Sequence, residues 1–248
     1  MGGISKTLFK NKFKLISYLL AFHVILNLGS MIFKLLIHNQ EILSYTGGVF
    51  GFTLAGFVMV SHYNEKIYFS NRYRMVPISD NQLYFSNLWT SVAALVYLSC
   101  AEIGIYGLSY FIRPNIYDKM MISNLINTDH LGYKLLILLI IGLAGVLVLN
   151  VITTIDFLIN WIINVSPFKK QKLASAILAF VVTYVLFIPF NFITANVLRL
   201  GGINQLGTSN IAFQSVIWIS LVLCIVWIVL FTFINLYFVN NWSETANK

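Results

Sequence analysis

A chain of 248 residues that is 58% hydrophobic and only 10% charged cannot cover a water-facing surface, since a soluble domain carries about a quarter charged residues. The formal net charge of +8 would suit nucleic acid, but the charges stand in a few short polar segments between apolar blocks, where they orient a membrane protein. Composition therefore sets aside a soluble globular domain and a nucleic-acid-binding module, and predicts an all-α polytopic membrane protein.

Apolar runs of about eighteen residues or more mark spanning helices, and the sequence predicts six of them in one transmembrane domain covering 1–248. The first, about 15–37, holds His23, Asn27 and Lys34 and follows Lys6, Lys10, Lys12 and Lys14. It runs too long for the core of a signal peptide, so no cleavable leader is expected. The basic segment before it, with Phe9 and Phe13 four residues apart, is either a topogenic charge cluster or a connecting helix lying along the membrane surface.

The second span, about 47–62, carries Gly47 and Gly51 at the spacing that lets helices approach closely, with Gly48 and Gly56 nearby. A polar stretch from Tyr63 to Asn87 follows. Its first part, Glu65 to Met75, mixes Tyr68, Phe69, Tyr73 and Met75 with Arg72 and Arg74, the pattern of a short amphipathic helix suited to a membrane surface or a partner's groove. Pro77 ends whatever precedes it. Ser79 with Gln82 has the form of a capping box, and Asp80 adds negative charge where a helix dipole favours it, so a helix begins near Asp80 and feeds the third span, about 88–112.

Glu102 lies within that third span, where a carboxylate is costly. It serves either a function, lining a substrate path or a gate, or a structural hydrogen bond between helices. The fourth apolar block, Leu135 to Val165, is longer than one crossing needs, and we place its span at about 135–160, with the rest continuing beyond the hydrocarbon or bending within it. Asp156 sits in its second half, at the membrane edge. His23 could pair with either acid or be satisfied in the core. The fifth span, about 173–197, contains Pro189, which removes a backbone donor and should kink the helix. The sixth, about 213–237, ends near Trp242, a candidate interface anchor.

Six crossings put both termini on one side. Lys6, Lys10, Lys12, Lys14, Lys66, Arg72, Arg74, Lys169, Lys170, Lys172 and Lys248 then share a side, against Arg113, Lys119, Lys134 and Arg199 on the other, so the termini are expected in the cytoplasm of a cell-membrane protein. No internal repeat is evident. Cys100 and Cys224, each inside an apolar block, read as small core hydrophobes. The chain has no G-x-x-x-x-G-K-[ST], H-E-x-x-H or G-x-S-x-G and no cluster with metal-ligand spacing, so neither catalysis nor a bound metal is expected of it.

The basic-aromatic element, followed by Val76-Pro77-Ile78-Ser79 and by Gln82-Leu83-Tyr84 at the entry to a long third span, resembles permease subunits of ABC-2 type transporters, as does the six-span plan with a basic N-terminus. The resemblance covers most of the chain in layout and about twenty residues in motif. It implies a coupling helix made of Phe69, Arg72, Tyr73, Arg74, Met75 and Pro77, docked on a separate cytoplasmic ABC ATPase that holds ATP and magnesium, and no cofactor on this chain. It further implies a second permease chain, as homodimer or heterodimer, embedded in membrane lipid, and export of a hydrophobic or amphipathic peptide, lipid or drug. The alternatives are a membrane immunity or sensor protein that binds a peptide without transporting it, and an ion- or proton-coupled carrier using Glu102.

Overall fold

Hydrocarbon offers a backbone no hydrogen-bond partners, so a lipid-embedded segment must satisfy its own amides, which a helix does. The computed structural model describes residues 2–37, 45–69, 79–112, 131–165, 172–200 and 210–242, and every one of these except Ser79 is helical. The helices are α1 (Gly2–Ile37), α2 (Tyr45–Phe69), α3 (Asp80–Ile112), α4 (Leu131–Val165), α5 (Lys172–Leu200) and α6 (Asn210–Trp242). Each predicted block falls inside one of them. Among the described residues, four stretches are long and apolar enough to cross a membrane: Gly3–Gly29, Asp80–Ile105, Lys134–Ile163 and Ile217–Asn241.

The helices overrun the apolar blocks for identifiable reasons. The α1 helix begins four turns before its block because Leu8, Lys12, Ile16 and Leu20 recur every fourth residue and are all buried. The Lys6–Lys14 segment is therefore the packed start of α1 and continuous with it. The α2 helix continues through the polar residues to Phe69, because Asn64, Ile67 and Tyr68 face the core. The predicted amphipathic element thus begins, at Glu65, as the last turn of α2. The α3 start is as predicted: the Gln82 amide donates to Ser79 Oγ at 3.3 Å and the Leu83 amide to the Ser79 carbonyl at 3.0 Å, which makes Ser79 the N-cap. The α4 helix runs unbroken to Val165, and α5 runs through Pro189 as one helix.

Two compact units divide the chain, Met1–Asp129 and His130–Lys248. In the first, α1 packs most extensively on α3 and also on α2. Contacts between α1 and α3 climb both helices together, from Ser5–Ser86 through Ser17–Tyr97 to His23–Glu102, so the two run parallel. The α2 helix runs against them: Asn11 meets Tyr63, while His23 stacks on Phe52. Leu8, Ile67 and Leu83 form the core at one end.

Close helix approach occurs at Gly56, not at the predicted Gly51. A Cβ at Gly56 would strike the Leu98 Cδ2 methyl and lie 3.5 Å from Leu19 and 3.6 Å from Ile16, whereas one at Gly51 would meet nothing within 4 Å. Because Leu98 is fully buried and has little room to yield, Gly56→Ala is expected to cost about 1–3 kcal/mol. Gly51→Ala gains helix propensity and should be neutral to stabilising by up to about 1 kcal/mol. Thermal melting of the two variants in detergent checks this opposition.

In the second unit α4 packs mainly on α6 and also on α5. Leu147, Trp227 and Phe231 make its core, and Phe190 of α5 lies 4.9 Å from the Trp227 ring. Thr154 bonds Asn235 and Phe157 meets Phe238, so the first and third helices of this unit are parallel as well. The hydrogen-bonded partners that join first to third helix are 75 to 81 residues apart in unit one and 81 to 85 in unit two. Each unit thus repeats one plan, with its first and third helices side by side in the same direction. The sequence hides this because the side chains at the two interfaces differ.

Candidate functional site

The chemistry-bearing side chains of the first unit lie between α1 and α3. His23 Nδ1 stands 2.7 Å from Glu102 Oε1, and both residues are 2% exposed. The pairing follows from the parallel packing, which sets His23 of the buried α1 stripe level with Glu102. Phe52 of α2 covers the imidazole, its ring stacked at 4.0 Å and 15°. An imidazolium with a carboxylate and a neutral imidazole with a carboxylic acid have the same net charge of zero. A pair sharing one such proton therefore crosses an apolar layer without the cost of a lone ion. The second carboxylate oxygen, Oε2, is buried without a hydrogen-bond partner among the described residues.

About three turns toward the start of α1, Lys12 is fully buried. Its ammonium has four oxygens within hydrogen-bond distance for its three N–H groups: the Asn87 carbonyl at 2.8 Å, Asn87 Oδ1 at 2.5 Å, Thr90 Oγ1 at 3.0 Å and Ser91 Oγ at 2.6 Å. Ser91 Oγ reaches on to Asn64 Oδ1 at 3.0 Å, which ties in α2. Among the described residues these partners are oxygen dipoles with no carboxylate among them. Thr90 donates back to a carbonyl of its own helix, and Ser91 has its one proton for either Asn64 Oδ1 or the Asn87 carbonyl, so both hydroxyls turn a lone pair toward the ammonium.

No protein-family model, curated protein or solved structure matches this chain. The reading of the site rests on its own geometry.

The second unit has a neutral counterpart. Thr154 Oγ1 donates to Asn235 Oδ1 at 2.8 Å, and Asn235 Nδ2 donates to the Asn150 carbonyl at 3.0 Å, with Asn150, Thr154 and Asn235 all buried. This joins α4 to α6 by amide and hydroxyl groups and carries no charge. Asp156, two residues beyond Thr154 on α4, is half-buried, and its backbone carbonyl accepts from Asn160 Nδ2 at 3.0 Å.

Of the three intramembrane candidates, His23 and Glu102 pair within the first unit, and Asp156 belongs to the second. Of the predicted coupling residues, Phe69 is the last residue of α2 and exposed, while Arg72, Tyr73, Arg74, Met75 and Pro77 lie outside the described residues. Among the described residues no three His, Cys, Asp or Glu are placed to hold a metal ion, and both cysteines are free thiols. Lys12 was missed by sequence reasoning, which grouped it with its neighbours as a surface charge. The signal was present: Lys12 falls in phase with Leu8, Ile16 and Leu20, whereas Lys6, Lys10 and Lys14 fall between them.

Proposed function

We propose that this chain is the membrane-spanning subunit of an ATP-driven exporter of the ABC-2 type, with six spans, both termini in the cytoplasm and no ATPase chemistry of its own. The observation that carries the reading is the composition of one end of the first unit. Ser5 Oγ lies 3.1 Å from Ser86 Oγ, and Leu8, Ile67 and Leu83 pack together, so the starts of α1 and α3 and the end of α2 meet there. Exposed Lys6, Lys10, Lys14 and Lys66 belong to these same ends. The nine residues 70–78, which carry Arg72 and Arg74, are joined to that end on both sides. A cationic end of this kind faces the cytoplasm, and a basic-aromatic connection fastened to two packed helices is suited to passing a push from a docked ATPase into the spans.

In this reading ATP and magnesium are held by the partner, a second permease chain completes the translocation unit, and the cargo is a hydrophobic or amphipathic peptide, lipid or drug. The test is purification of the tagged protein from native membranes in mild detergent, with mass spectrometry of what accompanies it. An ABC ATPase is expected to co-purify, and Arg72→Glu/Arg74→Glu is expected to release it by about tenfold or more while leaving the permease folded, because reversing two rim charges replaces attraction with like-charge repulsion. Recovery without any ATPase in several detergents would overturn the reading in favour of an immunity or sensor protein.

One observation favours a second reading, a carrier driven by an ion or proton gradient through Glu102. Both units follow the same three-helix plan, and a duplicated plan is one of two features such carriers combine. The other is discontinuous helices at matching positions, and each described helix is unbroken. Transport that persists without ATP and is lost in Glu102→Gln would select the carrier.

A further inference from the structure

The two faces of α1 are out of phase by half a turn. Leu8, Lys12, Ile16 and Leu20 form the buried stripe against α3. Two residues away, and hence about 200° around the helix, Lys6, Lys10, Lys14, Tyr18, Phe22 and Leu26 are all exposed. Along this outer stripe the chemistry changes in order: three ammoniums, then Tyr18 at 64% exposure, then Phe22 at 55%, then Leu26 at 47%. Lys14 Nζ stands 5.8 Å from the Tyr18 ring centroid, which joins the cationic part of the stripe to the aromatic part. Twenty residues of helix rise about 30 Å, so the sequence of groups passes from phosphate depth through the interface into acyl chains.

Three features single out the occupant. The α1 helix contains no acidic residue, so no carboxylate within it neutralises the three lysines. The fourth lysine of the segment, Lys12, is turned inward and spent on Asn87, Thr90 and Ser91, which leaves the outer three on one arc of about 80°. The exposed groups below them are apolar and aromatic, as acyl chains require and as a water-soluble acidic partner does not.

We propose that Lys6, Lys10 and Lys14 form a headgroup site for an anionic phospholipid, whose acyl chains lie along Tyr18, Phe22 and Leu26. The site rests only on the membrane character of the chain and is independent of the exporter reading. Each lysine near an anionic surface contributes about fivefold to binding, and because the three are spread over about 12 Å of helix, one singly charged headgroup gains from one or two of them, about fivefold to twenty-fivefold.

The test is native mass spectrometry of the intact protein in detergent, titrated in turn with phosphatidylglycerol and phosphatidylcholine. The wild-type chain is expected to bind phosphatidylglycerol the more tightly. The Lys6→Gln/Lys10→Gln/Lys14→Gln variant should lose that preference, about fivefold to twenty-fivefold, with phosphatidylcholine binding unchanged, and the corresponding Lys→Arg variant should retain it. A glutamine variant that keeps its preference would overturn the site. So would one that keeps it while losing a co-purifying acidic protein, since the face would then belong to that protein. Failure to find an ATPase, by contrast, leaves these outcomes untouched.

Discussion

His23→Leu is expected to destabilise the first unit more than any other single substitution at the α1–α3 interface. Among the described residues it removes the one hydrogen-bond partner of Glu102 and leaves both carboxylate oxygens buried without one. Breaking a buried ionic pair from one side costs about 3–5 kcal/mol. The carboxyl can limit that cost by taking up a proton, which exchanges a lone charge for unpaired neutral groups at about 1–3 kcal/mol. Glu102→Gln should be mild by comparison, because the amide preserves both the shape and a hydrogen bond to the imidazole. The decisive variant is His23→Leu/Glu102→Met, which leaves no polar side chain at either position. It should recover most of the loss, and melting temperatures of the three variants in detergent measure this. A double variant no more stable than His23→Leu alone would assign the loss to packing against Phe52 instead. In the exporter reading proposed above, a stable double variant that no longer transports would give the pair a functional role, and one that still transports would make it a structural clamp.

The pair shows where sequence reasoning stopped. Glu102 is conspicuous in an apolar run, and His23 is conspicuous in another, but joining them needs the direction and register of two helices 79 residues apart. Hydrophobic blocks give neither. The helices themselves were legible because a spanning segment must be helical throughout, and the α3 start was legible because Ser79, Asp80 and Gln82 form a local signal that needs no tertiary context. The helices run past the apolar blocks: a hydropathy average stops short of Lys12 and Asn64, while the packed helices bury both. The common plan of the two units was also out of reach. One unit joins its first and third helices with a lysine and an acid–imidazole pair, the other with Thr154 and Asn235, and nothing in the residue types marks these as equivalent positions.

The Lys12 cluster carries the second large effect, with an ordering that follows from which groups are left unpaired. Lys12→Met removes the buried charge together with the cost of burying it, and orphans chiefly Asn87 Oδ1, since Thr90 and Ser91 keep their own acceptors. That single unpaired oxygen costs about 1–3 kcal/mol. Removing acceptors while keeping the cation is worse. In Asn87→Leu/Ser91→Ala the ammonium retains only the residue-87 carbonyl and Thr90 Oγ1, and a buried cation so stripped should cost about 3–5 kcal/mol. Adding Lys12→Met to that variant should therefore raise its melting temperature, an unusual direction for a further substitution in a buried site. A further fall would mean that the four-carbon stem, and not the charge, holds α1 against α3. The same burial separates Lys12 from its neighbours in membrane insertion, because a charge paired inside the bundle is not one that stays with the headgroups. Reporter fusions after each span should show the same orientation for Lys12→Met as for the wild-type chain, whereas Lys6→Gln/Lys10→Gln/Lys14→Gln weakens the charge difference that sets it.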